Sequence, residues 1–170
     1  MRLYHFLSQE FGLQALRNQT LKVSRFDNLN DPFELQAAGS KQRSVRKIIA
    51  KNKAAMAEKG RLLCCSKSYK SPVLWGHYAD SHKGVALELD IPSKYVIDVE
   101  YVEERFELIE SDLIEAFGKE DRLKEINSKL LRIKYKEWGY EDEARVVFEA
   151  SEAESIGGLD FVKCLSLIHI

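Results

Sequence analysis

The sequence predicts a single α+β domain in which small mixed sheets are flanked by helices. The chain has 170 residues, the usual size of one hydrophobic core. Its residues are 45% hydrophobic, with only nine Gly and three Pro, which is typical of packed globular proteins rather than disordered or collagen-like ones. Strand and helix patterns alternate irregularly, and the one tight strand-helix-strand unit lies at the start, which favours α+β over a regular doubly wound sheet.

The first unit consists of a strand over 3–6, a helix that begins after Ser8, and a strand over 21–24. Ser8 is predicted to cap the helix because its hydroxyl can accept a hydrogen bond from the first-turn amides. A polar turn follows within 26–33, where Asp, Asn and Pro disfavour regular structure. Its Asp31, with Glu34 just beyond, is expected to cap and fix this loop.

A basic amphipathic helix is predicted over 41–59. The segment 40–61 contains eight basic residues and one acid, and its apolar residues recur at helical spacing. The basic residues predicted to contact a partner such as nucleic acid are Lys41, Arg43, Arg46, Lys47, Lys51 and Lys53.

The remaining predicted elements are strands over 61–66, 84–90, 95–102 and 144–148, a short helix over 72–79, and two helices within 104–138 separated at Gly118. Residues 98–121 contain ten acids and two bases, so an acidic helical region offsets the basic helix in the total charge. The two regions either face each other, or the basic face is free for a partner.

Composition narrows the functional classes. The formal charge of -1 gives no global basic field of the kind that commits a domain to nucleic acid. No signal peptide or apolar run long enough for a membrane span is present, which favours a cytoplasmic protein. The three cysteines are expected to be reduced, with Cys64 or Cys65 buried on a strand. No phosphate-loop, zinc or serine-hydrolase motif occurs, and His77 and His82 alone do not predict a metal site.

The last six residues, 165–170, form an apolar run that resembles the translation of a transposon adapter used in sequencing libraries. We therefore expect a domain over 1–164 that is truncated at its C-terminus, followed by a non-native tail. The alternative is that these residues form a genuine final strand, and His169 is given no functional weight in either case.

Four local motifs appear in order along about 145 residues: Leu3-Tyr4-His5-Phe6, Asn30 to Glu34, Trp75 to Gly84, and Trp138 to Arg145. Together they resemble a bacterial domain family of unknown function. The resemblance implies no particular activity.

A looser similarity connects the chain with the ADP-ribosyltransferase superfamily. It is based on Tyr4-His5, the segments 13–18 and 21–24, and the run Glu143 to Val147, although the chain has Gln19 near the position of the superfamily's glycine. The similarity implies an NAD-binding fold in which a first-strand histidine contacts the adenosine-side ribose and a late-strand glutamate is catalytic. The implied catalytic residues are Glu143 and Glu141, and the implied NAD-binding residues are His5, Tyr4, Ser24, Trp75 and Tyr78.

Each implied role has a structural alternative. A carboxylate at Glu143 beside Arg145 stays ionised at neutral pH, which suits stabilisation of an oxocarbenium-like ribose, but the pair is otherwise a surface ion pair. Trp75 and Tyr78 share one helix face and either stack on a ligand ring or pack in the core. His5 either binds the ligand or is a core histidine bonded to backbone.

Two functions follow from the sequence. The first is an NAD-dependent ADP-ribosyltransferase-like enzyme, in a stress or phage-defence setting. The second is a non-enzymatic domain that binds nucleic acid or protein through the basic helix 41–59. Convergence of His5, Tyr78 and Glu143 around one cleft favours the first function, and their separation favours the second.

Overall fold

A computed structural model of the chain describes residues 1–29, 38–104, 106–116, 118–164 and 168–169. The polar turn with Asn30, Asp31 and Glu34 lies outside the described residues, so the expectations for that loop stay predictions.

The fold is α+β, as predicted. The helices are α1 (Gln9–Asn18), α2 (Arg43–Lys59), α3 (Pro72–Tyr78), α4 (Glu110–Ala116) and α5 (Glu120–Arg132). The strands are β1 (Arg2–Leu7), β2 (Thr20–Val23), β3 (Ala38–Gly39), β4 (Gly60–Ser66), β5 (Val85–Asp90), β6 (Val96–Asp98), β7 (Glu100–Val102), β8 (Phe106–Glu107), β9 (Ile133–Tyr135), β10 (Glu143–Glu149), β11 (Glu154–Ile156), β12 (Leu159–Lys163) and β13 (Ile168–His169). Short 3-10 helices cover Ser93–Tyr95, Lys136–Glu141 and Ala150–Glu152.

The main sheet has six antiparallel strands in the order β13-β5-β1-β4-β10-β6. A second sheet has the order β11-β12-β2, and β3-β8 and β7-β9 form two short parallel pairs. The tail strand β13 pairs with Leu89 and Glu88 of β5, while the expectation that residues 165–170 are non-native stays a prediction.

The main sheet opens in its middle. β1 pairs with β5 along its whole length, and β4 does so with β10. Between β1 and β4, both of which are fully described, the register contains only Tyr4 opposite Ser66. Further along β4, the edge is taken by the second sheet: Ser24 and Leu62 exchange backbone hydrogen bonds of 2.9 and 2.8 Å. A cleft therefore lies where β1 and β4 separate.

The helices bury the apolar faces that the sequence predicts. The Ser8 hydroxyl accepts a hydrogen bond from the Phe11 amide at 3.3 Å and caps α1, as expected. Val45 and Ala57 of the basic helix α2 pack in one core cluster with Leu108 of the acidic region. The two oppositely charged regions therefore face each other through apolar side chains.

Several boundaries differ from the sequence prediction. Residues 106–107 and 133–135, expected to be helical, are strands. The strand predicted over 95–102 divides at Val99, because β6 pairs with β10 whereas β7 pairs with β9. These pairings are parallel or long-range and leave no mark in local periodicity. The hairpin β11-β12 was not predicted, although its turn, Gly157-Gly158, has the two positive φ angles (60° and 80°) that a tight hairpin requires.

The motif from Trp75 to Gly84 has a structural explanation. After α3 the chain turns through Asp80, Ser81 and His82, which all have positive φ (46°, 53° and 69°). The His82 amide donates to the Trp75 carbonyl at 3.0 Å. A Cβ atom on Gly84 would lie 2.1 Å from the Leu7 carbonyl oxygen, so only glycine fits there.

Candidate active site

The cleft between β1 and β4 has a volume of about 380 Å³, within the range of small-molecule sites. One wall comes from β1 and the start of α1, a second from β2 and the segment after it, and the floor from β4. The polar residues that line it are Tyr4, His5, Ser8, Lys22, Ser24, Asn28, Ser66, Tyr78, Lys134, Glu141 and Glu143.

Two glutamates and two cations form a buried cluster, and both glutamates and the lysine line the cleft. The Lys134 ammonium donates to Glu141 Oε2 at 2.6 Å and to Glu143 Oε2 at 2.9 Å. Arg145 donates through Nε to Glu143 Oε1 at 2.8 Å and through Nη2 to Oε2 at 3.0 Å. The Tyr78 hydroxyl donates to Glu141 Oε1 at 2.5 Å. Each oxygen of both carboxylates therefore accepts a hydrogen bond.

The cluster is almost sealed from solvent. Arg145 is 0% exposed, Glu143 3%, Glu141 5% and Lys134 8%. The alternative interpretation of Glu143 and Arg145 as a surface ion pair is therefore wrong. With two positive and two negative groups the cluster is neutral, which is how buried charges are tolerated.

The two carboxyl groups have opposite pKa shifts. Burial by itself would raise the pKa of Glu143, but the Arg145 guanidinium and the Lys134 ammonium outweigh burial and hold that pKa at about 2. For Glu141 burial dominates and raises its pKa above the ordinary value, although Lys134 and the Tyr78 hydroxyl act against it. Glu143 is therefore fixed as a carboxylate, whereas Glu141 is the group closer to taking up a proton.

Backbone contacts set the position of this cluster. The Glu143 amide donates to the Tyr101 hydroxyl oxygen at 2.8 Å, and Arg145 Nη1 donates to the Leu131 carbonyl at 2.9 Å. Burial raises the pKa of Tyr101 to about 12, so its hydroxyl stays protonated at neutral pH. The start of β10 is thus anchored to β7 and to the end of α5.

His5 lines the cleft from β1. Its Nδ1 lies 2.8 Å from the Cys64 carbonyl oxygen, and because a carbonyl only accepts, Nδ1 carries the proton. Burial lowers the pKa of His5, which favours the neutral ring with Nε2 as an acceptor. Nε2 is buried and has no hydrogen-bond partner within the described part of the chain. The backbone bond of Nδ1 agrees with the alternative of a core histidine bonded to backbone, whereas Nε2 is left for the ligand-binding alternative.

The structure brings most of the predicted site residues together. Those that line the cleft are Tyr4, His5, Ser24, Tyr78, Glu141 and Glu143. Tyr4 also donates to Glu88 Oε2 at 3.1 Å. Trp75 is not among the described residues lining this cleft. Its indole nitrogen donates to the Tyr69 carbonyl at 2.6 Å and its ring packs edge-on against Phe6, which agrees with the packing alternative.

Lys134 is the main residue that sequence reasoning missed. It falls in a segment that was predicted to be helical, where a lysine among other charged residues carries no signal. It enters the site because β9 pairs with β7, which places Lys134 opposite Tyr101. A strand predicted over 133–135 in place of the helix would have drawn attention to this lysine.

The adjacent cysteines belong to the floor of the cleft. Cys65 is buried on β4, as one of the pair was expected to be, and Cys64 beside it is half-buried. Both line the cleft. Burial raises the pKa of Cys65 well above its usual range, so its thiol stays protonated.

The six bases predicted to contact a partner lie away from the cleft, five of them on α2 and Lys41 just before it. None of the six predicted partner-binding bases lines the cleft. Arg43, Lys47 and Lys51 are exposed, while Arg46 is exposed and donates to the Ser40 and Lys41 carbonyls at 2.9 and 2.8 Å.

No protein-family model, curated protein or solved structure shows significant similarity to this chain. In the described ranges, no group of three or more His, Cys, Asp and Glu side chains is arranged to hold a metal ion. No helix among the described residues has the length and apolar character needed to cross a membrane.

Proposed function

We propose that the cleft binds NAD as a substrate and transfers its ADP-ribose, in the manner implied by the resemblance to the ADP-ribosyltransferase superfamily. The observation that carries the proposal is the convergence of His5, Tyr78 and Glu143 on one cleft. These residues come from β1, α3 and β10, and the sequence hypothesis required them to meet.

The state of His5 supports a sugar ligand. A neutral imidazole whose Nε2 lacks a partner among the described residues suits a donor such as a ribose hydroxyl, which reaches this buried nitrogen only when ligand binding opens its surroundings. A fully deprotonated anion has no hydrogen to donate and would instead be repelled by the lone pair of Nε2. His5 thus suits the orienting role proposed for it.

Glu143 suits the role of stabilising positive charge on the nicotinamide ribose. In the transfer, the bond between ribose C1 and the nicotinamide nitrogen breaks and nicotinamide leaves with the electron pair. A bond then forms between C1 and an acceptor atom of the target or of water, which releases a proton. A fixed carboxylate stabilises the cation-like sugar with the part of its charge that Arg145 and Lys134 do not offset, and it need not ionise during the reaction.

Glu141 is the group suited to receive the released proton. It lines the same cleft, it is bonded to Tyr78, and its raised pKa brings it closer to neutral pH than Glu143. The two carboxylates thus have different environments and different proposed tasks.

The test combines NAD binding, measured by titration calorimetry, with nicotinamide release from labelled NAD in the presence of cell extract. We expect Glu143→Gln to lower nicotinamide release by about 100-fold or more, the scale of losing a preorganised electrostatic group. Tyr78→Phe keeps the ring but removes the hydroxyl that bonds Glu141, so a smaller loss of release is expected.

Tyr95→Phe is the matched control, because Tyr95 is exposed and is not among the cleft-lining residues. It should leave both NAD affinity and nicotinamide release unchanged. Absence of NAD binding by the unmodified chain contradicts the proposal. Unchanged release in a folded Glu143→Gln variant removes the assignment of Glu143.

A further inference from the structure

Lys134 occupies a position between the two carboxylates of the cleft. A single ammonium group contacts Glu141 and Glu143, at 2.6 and 2.9 Å, and no more than 8% of the residue is exposed. The same ammonium lies 4.9 Å from the centre of the Trp138 ring. Its position is therefore fixed from two sides by carboxylates and from a third by an aromatic face.

The backbone holds this lysine at the site independently of its charge. Lys134 is the middle residue of β9, opposite Tyr101 of β7, and the Tyr101 hydroxyl accepts the amide hydrogen of Glu143. The lysine and one of its two partners are thus anchored to the same strand. These contacts restrict the Lys134 side chain to one position relative to the carboxylates.

Charge balance at the cluster depends on Lys134. The titratable groups that face one another here are Glu141, Glu143, Lys134, Arg145, Tyr78 and Tyr101, with Cys65 beside Glu143 and Tyr140 beside Glu141 and Lys134. Arg145 bonds both oxygens of Glu143, and Lys134 bonds one oxygen of each carboxylate. Removing the ammonium would leave two buried carboxylates with one cation, and a buried site relieves such an imbalance by taking up a proton.

We propose that Lys134 is a positioning residue of the cleft, whose ammonium group holds the carboxylates of Glu141 and Glu143 side by side and both ionised where they meet the ligand. The inference rests on the proposed function for the identity of that ligand. The ionisation that it assigns to Lys134 is a property of the protein without ligand.

The first experiment therefore needs no ligand. Lys134→Met keeps the length of the side chain and removes its charge. We expect the infrared spectrum of this variant at neutral pH to gain a carbonyl band of one protonated carboxyl group. The band should be absent from the unmodified protein and from the double variant Lys134→Met with Glu141→Gln, since the group that takes up the proton is Glu141.

Lys136→Met is the matched control. Lys136 lies two residues away and bonds Glu103 at 2.9 Å, but it is exposed. Its removal should produce no protonated carboxyl band. A Lys134→Met spectrum without that band at neutral pH overturns the proposal.

If Lys134→Met fails to fold, the stability of the double variant still tests the proposal. If the lysine acts through charge balance, the double variant restores the neutral count, one cation to one carboxylate, and recovers a thermal midpoint near that of the unmodified protein. If the double variant is no more stable than the single one, the lysine acts through packing and the proposal is wrong.

The second experiment follows nicotinamide release against pH. Because the carboxylate that has taken up a proton becomes ionised again at higher pH, Lys134→Met should lose release at neutral pH and regain part of it as pH rises. A merely structural role would lower release equally at all pH values. If the unmodified protein does not bind NAD, the proposed function fails, whereas the infrared comparison still decides the role of Lys134.

Discussion

The charges of the cleft and the charges of the helical surface differ in burial rather than in distance. Lys134 and Glu141 in the cleft are 2.6 Å apart, and so are Arg122 and Glu125 on α5. The side chains of the surface pair are 51% and 48% exposed, however, against 7% and 6% in the cleft. Two contacts of equal length therefore have unequal energetic consequences.

This difference in burial shows that the charges of the cleft, unlike those of the surface, lose most of their hydration on folding. Exposed pairs contribute little and are easily exchanged, while a buried pair must recover a large loss of hydration and is often no better for stability than apolar side chains. A protein that needed only stability would have little reason to place Lys134, Glu141, Glu143 and Arg145 together. Their placement beside a cleft is the reason to look for a function there.

The largest expected effect is the removal of Arg145. Arg145→Met should lower the free energy of unfolding by about 3–5 kcal/mol, because Glu143 would keep a buried charge with half of its cationic partners. Urea unfolding measures this change. Arg122→Met on the surface should lower the same quantity by less than about 1 kcal/mol, and equal losses in the two variants would contradict the comparison.

A second prediction separates the two carboxylates by pH. The ordinary pKa of a glutamate is 4.5, and that of Glu143 is about 2 in the folded protein. Its ionisation therefore stabilises the fold fully above about pH 4.5, and this contribution is lost as pH falls toward 2. The difference in thermal midpoint between the unmodified protein and Glu143→Gln should narrow across that interval.

Glu141 should behave in the opposite way. Its pKa is raised, so its favourable contribution is present below the ordinary value and is lost as pH rises through the folded-state value. The thermal midpoint of Glu141→Gln should therefore rise relative to that of the unmodified protein as pH increases. Parallel pH profiles for the two Gln variants would show that the two environments do not differ as described.

The smallest expected effect is on α2. Replacing Lys47 and Lys51 together by Gln should change the free energy of unfolding by less than about 0.5 kcal/mol, because both residues are exposed. The same variant tests the alternative function of this helix. If it contacts nucleic-acid phosphates, affinity for duplex DNA falls steeply with salt, and the variant should reduce that dependence by about one unit of slope per lysine. Affinity that is insensitive to salt contradicts the alternative.

The sequence predicted those features that are encoded locally. Helix α1, its cap at Ser8 and the break at Gly118 follow from periodicity and from single residue types. Glu143, His5 and Tyr78 stood out because each lies in a compact cluster of unusual residues. Their meeting in one cleft was a hypothesis, since it requires strand pairings across most of the chain.

Other features depend on contacts that no local pattern records. Lys134 acquires its partners through the parallel pairing of two three-residue strands, which is too short to outweigh a helical pattern. The opening between β1 and β4 depends on where the pairing of these two strands stops. The alternation of apolar and polar side chains continues past that point, so the sequence does not mark it. The burial of Arg145 was equally hidden, because arginine on a strand is usually exposed.

The opening between β1 and β4 also has a consequence for when the site can form. Its walls contain Tyr4 and His5 near the beginning of the chain, and its floor strand β4 is held in place by β10, which ends at Glu149. Pairings over such separations close large loops and make folding slow compared with helical proteins of the same size. During synthesis, the growing chain therefore carries no completed cleft until β10 has left the ribosome. Whatever the cleft does to its ligand, it can do only after the chain has been made as far as Glu149.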